Sequence, residues 1–234
     1  GSGVHIGASD LAATLAQRDT DGVTVAEALS EIGFAGTAPL GHPAAAYFEA
    51  HIEQGPVLED AGTTIGVVTG ALGLRWYDVT VTGQDAHAGP TPMRLRHDAM
   101  LAAADIVVEL NRIALAHQPD GRATVGAIKA VPNSRNVIPG RVEFTVDLRH
   151  ADEAALERME AAFRTACDRS ATERSVTFAI ERVSAYPVSS FDARMISAVR
   201  EGARTLGLSH QDIVSGAGHD AIYMGRVAPS AMIF

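Results

Sequence analysis

Along these 234 residues the spacing of apolar positions changes several times, and each change marks an element. Leu11 and Leu15 share one face of a short helical pattern over residues 9–18. Thr24-Val25-Ala26-Glu27 has capping-box spacing, and Leu29, Ile32 and Gly33 complete a second helix with a glycine stop. Residues 34–45, rich in Gly, Pro and Ala, read as a loop. Phe48, Ala50 and Ile52 then alternate with Tyr47, Glu49, His51 and Glu53, which predicts a strand with its apolar set in the core. Gly55-Pro56 ends that strand and opens a short helix with proline at its first position. An apolar strand over 64–69 follows.

After Gly70-Ala71-Leu72-Gly73 the texture changes. Residues 75–82 alternate cleanly, as a half-exposed antiparallel strand does. Met100, Ala103, Val107, Leu110 and Ala114 line one side of a long helix. Strands are predicted over 123–131 and 141–149, a helix over 152–170 and a strand over 176–184. Strand, helix, strand, strand, helix, strand is the split βαβ, ferredoxin-like plan. A helix over 190–206 and a strand over 230–234 complete the chain. The predicted architecture is an α/β domain built from residues 1–71 and 187–234, interrupted by an α+β ferredoxin-like domain at 72–186.

Composition narrows the function. With 47% hydrophobic and 20% charged residues this is an ordinary globular chain. A net charge of −9 argues against nucleic acid and anionic membranes as main partners. No apolar run reaches the length of a membrane span and no signal peptide is evident, so a cytoplasmic enzyme is expected. The single cysteine, Cys167, excludes an internal disulfide and a Cys-rich zinc module. It shares an apolar stripe with Leu156, Met159 and Phe163, which predicts a packed thiol.

The polar positions offer few constellations. His51, Glu53 and Gln54 fall at the carboxyl end of a strand, where open α/β sheets place ligands. His51 reads either as a metal ligand or as a hydrogen-bonded strand-end histidine. His87 sits in a Gly/Ala/Pro-rich turn, an unusual place for a core histidine, and a surface-loop residue is the alternative. Arg149 offers a planar fork to a carboxylate, or an ion pair to Asp147 two residues away. Gly216-Ala217-Gly218-His219-Asp220-Ala221 echoes a dinucleotide loop only weakly, since no ribose-binding acid appears about 20 residues later. Ser215, His219 and Asp220 are too close in sequence to have reason to converge as a triad.

Four segments in order carry a resemblance: His51-Ile-Glu-Gln54-Gly-Pro-Val-Leu-Glu59, Ala86-His87-Ala-Gly-Pro-Thr-Pro-Met93, Asn136-Val-Ile-Pro-Gly140 through Asp147-Leu-Arg149, and Ser215-Gly-Ala-Gly-His-Asp-Ala221. They resemble the N-carbamoyl-L-amino-acid hydrolases of the zinc-peptidase-like M20 amidases, which also include allantoate amidohydrolases and beta-ureidopropionases. The resemblance implies a metal-binding catalytic domain interrupted by a lid and dimerisation domain. It makes His51 a ligand to one of two divalent ions (zinc, manganese, cobalt or nickel) and His87 the catalytic oxyanion donor, commonly serving the partner's site. Gln54, His87, Asn136, Arg149, Gly216 and Gly218 would bind substrate, with His219 and Asp220 bracing the site, and Arg94 and Arg96 would support a dimer edge. The activity implied is hydrolysis of an N-carbamoyl-L-amino acid or related ureido acid by a homodimer, with allantoate as the alternative substrate. The family's other metal ligands have no counterpart here, so the resemblance also predicts a chain truncated at both ends, metal-free and inactive alone. A non-catalytic dimerisation or binding module is the alternative of another class.

Overall fold

The computed structural model describes residues 1–234. It divides into two compact units, Gly1–Ala71 with Ser189–Phe234, and Leu72–Val188. In chain order the first unit opens with helices α1 (Ser2–His5), α2 (Leu11–Leu15) and α3 (Val25–Glu31), then β1 (Tyr47–Ala50), α4 (Val57–Asp60) and β2 (Ile65–Ala71). The second unit holds β3 (Gly73–Thr82), β4 (Ala86–His87), α5 (Ala99–Ala116), β5 (Arg122–Thr124), β6 (Ile128–Val131), β7 (Val137–Ile138), β8 (Arg141–His150), α6 (Glu153–Arg174) and β9 (Thr177–Tyr186). The chain then returns through β10 (Ser189–Ser190), α7 (Ala193–Thr205), β11 (His210–Ser215), α8 (Asp220–Met224) and β12 (Ser230–Ile233).

Local signals explain where the helices begin. Asp10, Asp98, Asp152 and Asp192 each accept backbone N–H bonds at the start of α2, α5, α6 and α7. Thr24 and Glu27 form the reciprocal capping box of α3. Each such cap contributes about 1 kcal/mol by satisfying a donor the helix cannot. The stripes of α2 and α3 do not find a core, however: Leu11 is 45% and Ile32 64% exposed.

In the first unit the sheet runs β1-β12-β2-β10, with β11 also on β2. β1 and β12 are parallel, and β12 and β2 antiparallel. Neighbouring residues of the central strands point to opposite faces. Val67 and Ala231 pack with Val199 of α7, while Val68 and Met232 pack with Phe191 and Ala221. The expected face of β1 is inverted: Phe48 is 46% and Ile52 72% exposed, whereas Tyr47 and Glu49 are half-buried. β1 is an edge strand, and Glu49 is drawn inward by polar partners that the alternation could not reveal. Pro56 is likewise the N-cap of α4 and not its first helical residue.

In the second unit the sheet runs β5-β8-β3-β9, every neighbour antiparallel, with β6 continuing the β5 edge along β8. Counted as strands one, two, three and four, this is the order two-three-one-four of the ferredoxin-like plan. Tyr77, Val79, Val81, Val142, Phe144, Val146 and Leu148 face α5 and α6 across one core. Two details, one of a helix and one of a strand, differ from the periodic reading. The buried face of α5 is Ala99, Ala102, Ala103, Ile106, Leu110, Ile113 and Ala114, and Val107 lies outside it. The strand expected over 123–131 breaks at Val125-Gly126-Ala127, where Thr145 holds the bulge through both its amide and its hydroxyl. Arg75 is clamped between Glu153 and Glu160 of α6, stapling that helix to the sheet.

Candidate functional site

The first cluster lies at the end of β1. His51 follows the strand and its amide donates to Ile233 at 2.9 Å. Its Nδ1 lies 2.8 Å from the carbonyl of Ile52. A carbonyl only accepts, so Nδ1 carries the hydrogen and Nε2 presents a lone pair, the arrangement a metal-ligating histidine uses. Glu53 is not free to join it. Its two carboxylate oxygens accept the amides of Val57 and Leu58 at 2.8 Å each, capping α4. The wrapped carboxylate explains the glycine that follows, because a Cβ on Gly55 would lie 2.9 Å from Glu53 Oε1. Between them Gln54 takes the left-handed conformation at φ 57°, one a non-glycine residue adopts rarely.

The loop after β11 meets this strand end. The His219 ring stands edge-on to His51, centroids 4.8 Å apart at 71°. Ser215 Oγ is 2.6 Å from His219 Nε2, and His219 Nδ1 is 3.6 Å from Glu49 Oε1. Glu49 Oε2 accepts the Ala221 amide at 2.7 Å. Burial lowers the His219 pKa below the ordinary imidazole value, with His51 adding to the effect and Glu49 opposing it. The structure therefore brings His51, Gly216, Gly218 and His219 into one neighbourhood and adds Glu49 and Ser215. Sequence reading missed Glu49, though it shares the His51 face of β1, and gave Ser215 and His219 no reason to converge, whereas the turn between them brings them into contact.

The second cluster belongs to the other unit. β4 and β7 form a two-stranded ladder that pairs His87 with Val137, and Ala88 donates to the Asn136 carbonyl at 2.9 Å. His87 and Asn136 are thus neighbours. His87 Nδ1 accepts the Gly89 amide at 3.1 Å, so in the neutral ring the hydrogen sits on Nε2, at an exposed position. Asn136 Oδ1 accepts from Ser134 at 3.0 Å. Arg96, expected at a dimer edge, donates to the carbonyls of Ala88 and Thr91 at 2.8 and 3.1 Å and braces the His87 turn.

Arg149 is not part of that cluster. It lies at the far end of β8 from Arg141, where the strand leaves the β4–β7 ladder, roughly 26 Å away at about 3.3 Å per residue. Its Nε and Nη2 engage Asp147, the closest contact being 2.6 Å. The ion-pair geometry is thus present.

No group of three or more His, Cys, Asp or Glu side chains is arranged to hold a metal ion. His51 has the tautomer of a ligand, but a catalytic ion needs about three protein donors, and these residues do not assemble them.

Residues 69–174 match the family described as the peptidase dimerisation domain of the M20 type. Over 233 residues the chain is 42% identical to an N-carbamoyl-L-amino-acid amidohydrolase of Rhizobium meliloti, covering 99% of this chain and 56% of that protein. It is 36% identical over 220 residues to an allantoate amidohydrolase of Bacillus subtilis, covering 93% of this chain and 53% of that protein. Its relatives are amidohydrolases. A solved amidase of the hydantoinase/carbamoylase family from Burkholderia multivorans superposes with a TM-score of 0.95 at 53% identity, over 100% of this chain and 57% of that one. The chain therefore spans little more than half the length of these amidohydrolase relatives, and the similarity runs through all four motif segments.

Proposed function

We propose that this chain serves a metal-dependent amidohydrolase that hydrolyses the linear carbon–nitrogen bond of an N-carbamoyl-L-amino acid to the amino acid, ammonia and carbon dioxide. The observation that carries this is the 42% identity to a carbamoyl-amino-acid amidohydrolase across 99% of the chain. Divalent ions, zinc, manganese, cobalt or nickel, would supply a polarised carbonyl and an activated water. His51 offers one donor toward them. What the chain does itself is bind and orient. His87 Nε2–H donates to the oxygen that gains charge as the carbonyl becomes tetrahedral. Asn136 lies beside it, Arg149 anchors the substrate carboxylate, and Gln54 with the Gly216 and Gly218 backbone closes around the ureido group. Allantoate, which also pairs a ureido group with a carboxylate, is the competing substrate.

The position of Arg149 supports a site shared between copies. A substrate of this size cannot touch both ends of β8, so His87 and Asn136 would serve one subunit while Arg149 serves the other. The dimerisation-domain match supports a homodimer, and α5 supplies an apolar stripe of Leu101, Val108 and Leu115, exposed at 37%, 51% and 62%. No helix is long and apolar enough to cross a membrane. A buried, unpaired Cys167 suits a reducing cytoplasm.

The deciding assay is ammonia release from N-carbamoyl-L-amino acids and from allantoate, with each divalent ion added in turn. Mixing His87→Ala with Arg149→Ala should restore about a quarter of the activity, since half the dimers are mixed and each has one intact site. No ammonia from either substrate, in a folded preparation shown by metal analysis to carry bound ions, would overturn the reading. It would favour the second one, a non-catalytic dimerisation or binding module, which the lack of a three-donor metal group supports.

A further inference from the structure

Beside His51 lies a buried polar chain that the proposed chemistry has not used. Ser215 has no exposed surface, the His219 side chain is 2% exposed and that of Glu49 16%. Their partners fix where each hydrogen lies. The Ala217 amide donates to Ser215 Oγ at 3.1 Å. The Ser215 hydroxyl hydrogen then finds its short acceptor in His219 Nε2 at 2.6 Å, the Ala217 carbonyl being 3.5 Å away. With Nε2 accepting, the neutral ring carries its hydrogen on Nδ1, which faces Glu49 Oε1 at 3.6 Å. The opposite tautomer would turn a lone pair toward a carboxylate. Glu49 Oε2 is occupied by the Ala221 amide at 2.7 Å and the Tyr47 hydroxyl at 3.4 Å. Hydrogen bonds run one way from Ala217 to Ser215 to His219, and the His219 Nδ1–H then faces the Glu49 carboxylate across an electrostatic contact of 3.6 Å.

The atom order is that of a hydrolytic triad, but the burial is not. A serine with no exposure cannot reach a substrate, and its oxygen already receives an amide. The glycines around it point to another role. A Cβ on Gly216 or on Gly218 would meet nothing within 4 Å, and neither residue has a positive φ. Neither packing within the chain nor backbone conformation therefore demands glycine here. What remains is room against the backbone for a group arriving from outside. Two glycines in one short loop also leave it costly to order, so its shape needs an external hold. Ser215 and His219 bracket this loop, and Glu49 ties it to the strand that ends in His51.

We propose that Glu49, His219 and Ser215 are positioning residues, a polar chain of hydrogen bonds closed by the carboxylate facing His219, which holds the Gly216–Ala217–Gly218 loop open toward a ligand and seats His219 edge-on against His51, so that loop and imidazole are set as one unit. The inference rests on the amidohydrolase reading only for what that ligand is.

The test uses the 234-residue chain and no substrate. Nitrogen-15 spectra of the imidazoles should show His219 as a single Nδ1–H tautomer. Glu49→Gln keeps the shape and removes the charge. It should raise hydrogen exchange at both the Ala217 and Ala221 amides by about tenfold, the loss of one charge-assisted hydrogen bond, and blur the tautomer signal. The Val68 amide in the core should not change. Ser215→Ala should speed Ala217 alone, and it decides the matter if Glu49→Gln does not fold. An Nε2–H tautomer for His219 in the parent, or an Ala217 amide that responds to neither variant, would overturn the proposal. Ammonia release scores the amidohydrolase reading separately, so failure of one is not failure of the other.

Discussion

His51 and His87 are both strand-end histidines in motif segments, yet the backbone around them sets them to opposite states. At His51 the Nδ1 atom meets the next residue's carbonyl, which leaves Nε2 as an acceptor. At His87 it meets the amide of the residue two further on, which leaves Nε2 as a donor. One leaves Nε2 with a lone pair, as a cation would need, and the other leaves it with a hydrogen, as an oxyanion would need. On the proposed function identical side chains would take different tasks with one peptide group apiece setting the difference.

The largest effect should come from removing the acceptor. In a preparation that retains metal and releases ammonia, His51→Ala should lose bound metal and at least roughly a thousandfold in turnover. Metal analysis beside the kinetics checks this, and metal retained in full would break the comparison on that side. His87→Ala should keep its metal and lower kcat by about 10²–10³, the usual loss for one oxyanion donor, with a small change in KM. A loss confined to KM would mean that His87 binds ground-state substrate and has no oxyanion task. Arg96→Ala loosens the turn that aims His87, and a fall in kcat of about tenfold is expected, because misplacement and not removal is at issue.

The smallest effect sharpens the contrast by supplying a side chain governed chiefly by burial. The Cys167 thiol is pushed up to about 12 by desolvation, with Asp168 adding to it. Its folded pKa lies above the unfolded value, so its contribution to stability is full below about pH 9 and is lost as pH rises from there toward 12. Cys167→Ala should flatten that alkaline decline in chemical denaturation. At pH 8 the folded thiol should resist maleimide that labels the unfolded chain, and equal labelling of the two would contradict the burial argument.

Much of this was legible in the residue pattern where elements are long. The β3 alternation and the Leu156, Met159, Phe163 and Cys167 stripe of α6 read directly, because each has a single buried face and no competing partner. β1 misled, since an edge strand with a polar residue drawn inward reverses the usual meaning of alternation. The α5 face was offset because small alanines face the core and valines as apolar as the buried ones face out, which blurs any apolar count. At the site the motif segments led to His51, Gln54, His87, Asn136 and Arg149. The contact of Glu49 with Ala221 and His219 spans about 170 residues and leaves no local trace. Nor does spacing reveal that one β8 end holds Arg149 while the other leads to His87 and Asn136.

Gln54 carries a consequence for the history of the sequence. A side chain held at φ 57° costs about 1 kcal/mol or more that glycine would not incur, and asparagine would soften. Saturation mutagenesis offers both replacements at that position, and a search for thermal tolerance alone would accept either. A library selected for heat resistance should therefore drift away from glutamine at 54, while one selected for turnover should keep it.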